Sequence, residues 1–393
     1  MHRHIFTFLI LGFLACGEKN DETSSDEPQT VEGIAGTSVD NSLPSDGKRP
    51  FYLAFTPWLN EATLTAEDSV YDFIQTNGDM IAHHFQQGIP YDDALTFPNF
   101  DNYHQNIKDE VINRLNKTSS DMPVYLAIDS LNGSRDALTD FWGENANTPR
   151  SAPWDSRRLS HPDVITAYVN FSLEMIARFN PVYFNYAPEV SDLIINNVSE
   201  FDEFKDFAAA VYTQIKSAYP DLKMIVSVAL KTPGSSDMNA IQSRLGEILE
   251  YVDTVGISTY GYAFYDHAVK GNPDHLPDDW LTQILEIAPE KSYAIVETGW
   301  IAEDLAIPVY GLDVQSSEIL QNNYVKKMFT DAKEISAEAI IWFASHDYDV
   351  LWSDTLGQDD LSKVWKDTGF VDQDLNERLA LDTWQDWLSI ARE

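Results

Sequence analysis

The stretch Ser292-Tyr-Ala-Ile-Val-Glu-Thr-Gly-Trp300 decides how the chain is read. Its residues Tyr293–Val296 are bulky or apolar, as a parallel strand buried on both faces requires. Glu297 follows directly, and Gly299 ends the strand. A carboxylate at the mouth of a buried strand is costly to place, and desolvation and neighbouring charges tune its proton affinity. A salt-bridged loop acid is the commoner fate of a glutamate. A second strand, roughly a hundred residues earlier, ends in the same way: Pro181-Val-Tyr-Phe-Asn-Tyr-Ala-Pro-Glu189.

Working outward, six more runs share this near-continuous apolar or aromatic character. With Val182–Tyr186 and Tyr293–Val296 they make eight: Phe51–Phe55, Met80–Phe85, Val124–Ile128, Met224–Ala229, Thr254–Thr259 and Ala339–Phe343 are the others. Helical stripes lie between them. Ile165, Tyr168, Val169, Met175, Ile176 and Phe179 share one face of a helix that opens on Ser160-His-Pro-Asp163, a capping-box-like start. Phe204, Phe207, Ala208, Val211, Ile215 and Ala218 mark the next, which Pro220 stops. Weaker stripes cover 66–77, 103–117, 238–250, 278–288, 316–333 and 374–392.

Eight strand–helix units match a (β/α)8 TIM barrel in count and size, so residues 49–393 read as one α/β domain. A doubly wound open sheet is the alternative, but no glycine-rich phosphate turn follows any strand. In the barrel, Glu189 ends strand four and Glu297 ends strand seven. The long connections 130–160, 260–277 and 344–373 all follow strands and so fall on the C-terminal rim. They carry Trp142, Trp154, Tyr262, Phe264, Tyr265, Tyr348 and Trp352, and long loops on one rim mark a cleft.

Residues 1–15 read as a lipoprotein signal peptide: His2-Arg3-His4 is basic, and Ile5–Ala15 is apolar but too short to span a bilayer. Phe13-Leu14-Ala15-Cys16 resembles a lipobox, which makes Cys16 the expected lipidated residue. The chain has no other cysteine, so no intrachain disulfide forms. Residues 16–48, rich in Asp, Glu, Ser, Thr, Gly and Pro, read as a flexible acidic tether. A cell-envelope lipoprotein of the outer membrane, periplasmic or surface-exposed, is expected, with the lipid as its only membrane contact.

In the 393 residues, 63 acids against 26 bases give a formal charge of −37. Such a surface repels nucleic acid and anionic lipid. There is no HExxH, paired-cysteine, phosphate-loop or G-x-S-x-G motif, so no metal, cofactor or serine-hydrolase chemistry is expected. A monomer is expected.

Two carboxylates on the strand ends of one barrel are what glycoside hydrolysis uses. The chain from about residue 50 onward resembles the clan-A glycoside hydrolases, distantly the family-53 galactanases. Val296-Glu-Thr-Gly-Trp300 is similar to their nucleophile segment, Val255-Gly-Ile-Ser-Thr-Tyr260 to their sixth strand and Ile341-Trp342-Phe343 to their eighth. The resemblance implies Glu297 as nucleophile, Glu189 as acid/base, Tyr260 on the nucleophile and Trp342 as a sugar platform. The family's Asn before the acid/base is Pro188 here, so Asn185 is the nearest amide for that role.

His84, one of the pair His83-His84, is a further sugar-binding candidate; adjacent strand residues face opposite ways, so at most one points inward. Trp58, Tyr262 and Trp300 are candidate stacking residues, with core packing the alternative. Asp129, Asp347 and Asp349 read as surface acids, sugar contacts or calcium ligands, the first being favoured. The resulting expectation is a retaining glycoside hydrolase acting on a β-linked oligo- or polysaccharide. Its rivals are a non-catalytic glycan-binding lipoprotein and a barrel hydrolase using Asp129 or a metal.

Overall fold

The computed structural model describes residues 43–44 and 47–393. The signal segment, Cys16 and most of the tether lie outside the described residues. Eight parallel strands close into a barrel in chain order: β1 (Tyr52–Phe55), β2 (Met80–Phe85), β3 (Val124–Ile128), β4 (Tyr183–Ala187), β5 (Lys223–Ala229), β6 (Thr254–Thr259), β7 (Ser292–Thr298) and β8 (Ala337–Trp342). Closure is between β1 and β8, in register from Tyr52 opposite Ala339 to Phe55 opposite Trp342. The fold is the (β/α)8 barrel that the eight apolar runs anticipate.

The strands are continuous in apolar residues because each packs on both faces. Ala54, Ala82, Ala127, Ala294 and Ala339 line the interior beside Tyr125, Tyr183, Ile225, Val296 and Ile341, so small residues leave room for two tyrosine rings. The alternate residues, such as Leu53, Phe55, Phe184, Ile257 and Ile295, meet the surrounding helices. Fully burying a side chain of this size stabilises the fold by ~1.5–3 kcal/mol.

The longer helices are α1 (Leu64–Asn77), α2 (Gln105–Lys117), α3 (Pro162–Phe179), α4 (Val198–Ala218), α5 (Ser236–Arg244), α6 (Glu318–Glu334) and α7 (Leu379–Leu388). The cap of α3 is His161, whose Nδ1 accepts from the Asp163 amide at 3.2 Å. Ser160, expected in that part, instead donates to Glu203 on α4. Two helices are shorter than their stripes. Beyond Arg244 the expected helix breaks into 3-10 turns around Gly246. Over 278–288 bonds that span three residues alternate with bonds that span four, and the α-helix is Ile284–Ile287.

Two features sit outside the strand–helix alternation. A hairpin, Leu305–Ile307 against Leu312–Val314, follows β7 on the rim. At the opposite end of the barrel, just before β1, Arg49 is hydrogen-bonded into the C-terminal segment. Its amide donates to Ala391 O and its carbonyl accepts from the Glu393 amide, both at 3.0 Å. The Arg49 guanidinium, 2% exposed, also pairs with Asp79 at 2.6 Å.

Candidate active site

Both strand-end glutamates are aimed by irregularities in their strands. Between β6 and β7, Ile257 pairs with Ile295 but Ser258 pairs with Glu297, so β7 carries one extra residue, Val296. Strict alternation would turn Glu297 towards the helices once Val296 fills the interior. Instead Val296 packs inside, Thr298 turns out to Tyr324 on α6 at 2.6 Å, and Glu297 faces the mouth. In β4, Asn185 pairs with Ile225 and Ala187 with Val226, leaving Tyr186 as the extra residue. Bulges of this kind re-aim side chains at barrel rims. Gly299 then lets β8 close in, since a Cβ there would lie 2.6 Å from Phe343 O. Glu189 itself has φ +54°, a left-handed backbone that is uncommon and costly for a residue with a side chain.

Glu297 is partly buried and accepts from the Tyr260 hydroxyl at 2.7 Å. Burial, and next the charge of Glu189, push its carboxyl up to about 7, while His84, the Tyr260 bond and Arg135 pull the other way. Glu189 is more fully enclosed. Its Oε1 accepts from the Ser258 hydroxyl at 2.8 Å, its Oε2 lies 3.3 Å from Arg135 Nε, and its amide donates to Ser227 Oγ at 2.8 Å.

A polar ladder leads away from Glu189. Arg135 Nη1 donates to Asp129 Oδ2 at 2.8 Å, and Asp129 Oδ1 lies 2.6 Å from His84 Nε2. The Gln86 amide nitrogen sits 3.0 Å from His84 Nδ1; as a donor there, it leaves the imidazole hydrogen on Nε2, facing Asp129. Burial disfavours the Asp129 carboxylate, but Arg135 and His84 outweigh it and hold that carboxyl below its usual range. On the other flank Lys231 pairs with Asp192 at 3.0 Å. Burial and the charge of Glu189 push the Asp192 carboxyl up against the pull of Lys231.

Of the residues picked from sequence, Glu189, Glu297, His84 and Tyr260 come together at the mouth, and Trp58 lies beside it, packed on Phe343 with centroids 5.3 Å apart. His83 points outward to Thr118 and Phe179. Four picks need correction. Asn185 is 1% exposed in the barrel interior; its amide is taken by Tyr125, Ser227 and the Ala187 backbone, and none of it reaches a ligand. Trp342 faces the helices because β8 alternates Ile341 inward; its indole donates to Thr368 O. Phe343, one residue on, packs against Trp58 in its stead. Trp300 is fully buried, stacked on Tyr324 at 4.5 Å. Tyr262 is fully buried between Trp300 and Tyr260, its hydroxyl on Val364 O.

The rim aromatics divide likewise. Trp142 and Trp154 are core; Trp154 stacks on Tyr91 at 4.8 Å and donates to Asp92. Phe264 is 42% exposed and neighbours Trp365, which neighbours Tyr260. Asp129 and Asp347 are not surface acids but buried ion-pair partners of Arg135 and Arg378. Asp349 is paired with Lys366. Glu303, Asp347 and Asp367 place carboxylate oxygens within 4.8 Å of one another, with Arg378 and Lys366 already bonded among them.

Arg135, Ser258 and Lys231 were missed by sequence reasoning. Arg135 left one signal: a scarce base six residues after a strand-end aspartate.

The site thus joins a closed (β/α)8 barrel to a pair of carboxyls, Glu189 and Glu297, at the ends of β4 and β7. The chain is structurally similar to clan-A glycoside hydrolases. The exo-β-1,4-mannosidase of Opitutaceae bacterium strain TAV5 matches 89% of this chain at TM-score 0.57 and 11% identity; the chain spans 62% of that protein, under two thirds of its length. The GH53 catalytic domain of Ignisphaera aggregans matches 92% of this chain and 99% of its own length, at TM-score 0.52 and 12% identity. The GH10 protein of Paenibacillus barcinonensis matches 87% and 96%, at 0.54 and 12%. At such identities the likeness establishes the fold. No family model matches the chain, and no curated protein sequence matches it.

Proposed function

We propose that this protein is a retaining glycoside hydrolase that cleaves a β-linked oligo- or polysaccharide. The observation that carries the reading is the carboxyl pair: Glu189 and Glu297 share one barrel mouth, close enough for the charge of one to raise the proton affinity of the other. A β-linked substrate is in keeping with the exo-β-1,4-mannosidase among the structural neighbours.

In this mechanism a Glu297 oxygen attacks the anomeric carbon as the glycosidic C–O bond breaks. Glu189 gives its proton to the leaving oxygen. Water then attacks the same carbon, Glu189 takes the water's proton, and Glu297 departs. Tyr260 steadies the Glu297 carboxylate through its hydroxyl, and Phe343 with Trp58 offers apolar surface to the sugar's C–H face. We further propose that Cys16 carries a lipid and that the protein works at the cell envelope.

The contacts of Arg135 and Ser258 favour a second reading, a glycan-binding protein without turnover, because both Glu189 oxygens are already engaged within the protein. The test is an activity screen of the full chain on a polysaccharide panel, with the first product's anomeric configuration read by NMR. Retention is expected. Glu297→Ala should abolish turnover, and azide should restore part of it as the glycosyl azide of inverted configuration. An inverted product from the native protein overturns the nucleophile assignment, and tight binding with no product establishes the second reading.

A further inference from the structure

We propose that Ser227, inside the barrel on β5, is a positioning residue for the acid/base. Its hydroxyl oxygen holds the Glu189 backbone in the left-handed turn from which the carboxyl reaches the mouth. The kinetic consequence rests on the hydrolytic reading above, and the structural one stands without it.

Ser227 is the one polar residue in the run Met224–Ala229. It alternates inward with Ile225, while Val226 and Val228 face the helices, and it is 1% exposed. A buried hydroxyl is costly unless it is hydrogen-bonded, so its partners show what it serves. The Ser227 Oγ accepts from the Glu189 amide at 2.8 Å and from the Asn185 side-chain nitrogen at 3.3 Å. Asn185 cannot be turned the other way round, because its Oδ1 accepts from the Ala187 amide at 3.1 Å. Its nitrogen therefore faces Ser227 and the Tyr125 hydroxyl, the latter at 2.8 Å.

The backbone at Glu189 needs such a hold. The extra residue Tyr186 ends the regular β4–β5 pairing at Ala187 opposite Val226. Past that point the Glu189 amide is bonded to a β5 side chain rather than to the β5 backbone. Glu189 has φ +54° directly after Pro188, the order of a type II turn, in which glycine usually takes the second of the two places. Glutamate gains nothing from that conformation by itself. From it, one carboxylate oxygen meets the Ser258 hydroxyl on β6 at 2.8 Å, and the other lies 3.3 Å from Arg135 Nε. Rotating φ to a negative value swings the Cβ, and the carboxyl leaves Ser258.

Room for the hydroxyl comes from the neighbouring strand, where Ser227 pairs with Gly256 on β6. A Cβ on Gly256 would lie 2.8 Å from Ser227 Cβ and 2.9 Å from Val296 Cγ2. Val296 is the extra residue that turns Glu297 to the mouth. One missing side chain thus admits both the group that fixes Glu189 and the residue that aims Glu297. Ser191 offers a comparison on the same seam: its Oγ accepts from the Ala229 amide at 2.9 Å and donates to Asp192 at 3.5 Å.

The test compares the native full chain with Ser227→Ala and, as the control, Ser191→Ala. Crystal structures come first. Glu189 should keep its positive φ in the native protein and in Ser191→Ala, and lose it in Ser227→Ala together with the Ser258 bond. An unmoved Glu189 in Ser227→Ala overturns the proposal whatever the activity. The second measurement is kcat/KM on aryl β-glycosides, from methylphenyl to dinitrophenyl, of the sugar that the panel screen selects. Ser227→Ala should lower it about 100-fold for the methylphenyl glycoside, the scale of a misplacement by about 1 Å. The dinitrophenyl glycoside, whose leaving group needs no proton, should hardly be affected. Ser191→Ala should lower Tm and treat the series evenly. An even loss in Ser227→Ala marks a merely structural serine and overturns the proposal. Should Ser227→Ala fail to fold, Ser227→Cys, which fills the place with a weaker acceptor, takes both measurements. If the native protein hydrolyses no glycan, the hydrolytic reading fails and the φ of Glu189 alone decides.

Discussion

Glu297 is charged at a cost in this site, and the cost has a sign. Its carboxyl is pushed up to about 7 in the folded protein, above the ordinary 4.5, by burial and by Glu189. The folded state therefore binds this proton more tightly than the unfolded chain does. Its contribution to stability is fully present below pH 4.5 and is lost as the pH rises through about 7. Glu297→Gln, a neutral isostere, should accordingly be more stable than the native protein by about 3 kcal/mol at alkaline pH, with the gain shrinking towards pH 5. Denaturant unfolding across that range measures it, and a gain independent of pH would sink the electrostatic account. Glu297 was legible in the sequence because an acid following a buried strand is conspicuous. Arg135 was not, since nothing in Gly133-Ser134-Arg135-Asp136 tells that the loop folds back over Asp129 and Glu189.

At the scale of elements, all eight strands were legible, with ends shifted by a residue or two. Burial on both faces writes a continuous apolar run, whatever the neighbours are. Register leaves no such trace. The extra residues Tyr186 and Val296 look like any other strand residues, yet they decide which way the glutamates point. The same blindness to parity puts Trp342 where Phe343 stands. Loop aromatics are ambiguous for another reason: a ring packed under a loop and a ring displayed on it have the same sequence. The structure separates them, and mutation should too. Tyr262→Ala removes a fully buried ring and should cost about 3–5 kcal/mol of stability. Phe264→Ala, two residues on and 42% exposed, should cost within about 0.5 kcal/mol and weaken oligosaccharide binding several-fold. Thermal unfolding and calorimetric titration of both proteins check this; equal losses of stability would erase the distinction.

For the whole molecule, the Cys16 anchor is the prediction with the widest reach. Cys16→Ser should release the protein from membranes or halt its processing, and unchanged fractionation with unchanged mature mass would rule the anchor out. How such a leash would act follows from Arg49. The barrel's floor, not its mouth, is where the chain enters, and Arg49 is stitched there to Ala391 and Glu393 and clamped by Asp79. With the anchor in place, a pull from upstream would meet the seam where Arg49 joins the first strand to Ala391 and Glu393. The carboxyl pair opens at the far pole. If the proposed anchor and activity both hold, a hydrolase tied down by its floor would keep its mouth turned towards whatever drifts past, and polymer too large to reach the anchoring surface could still be met end-on or along its length.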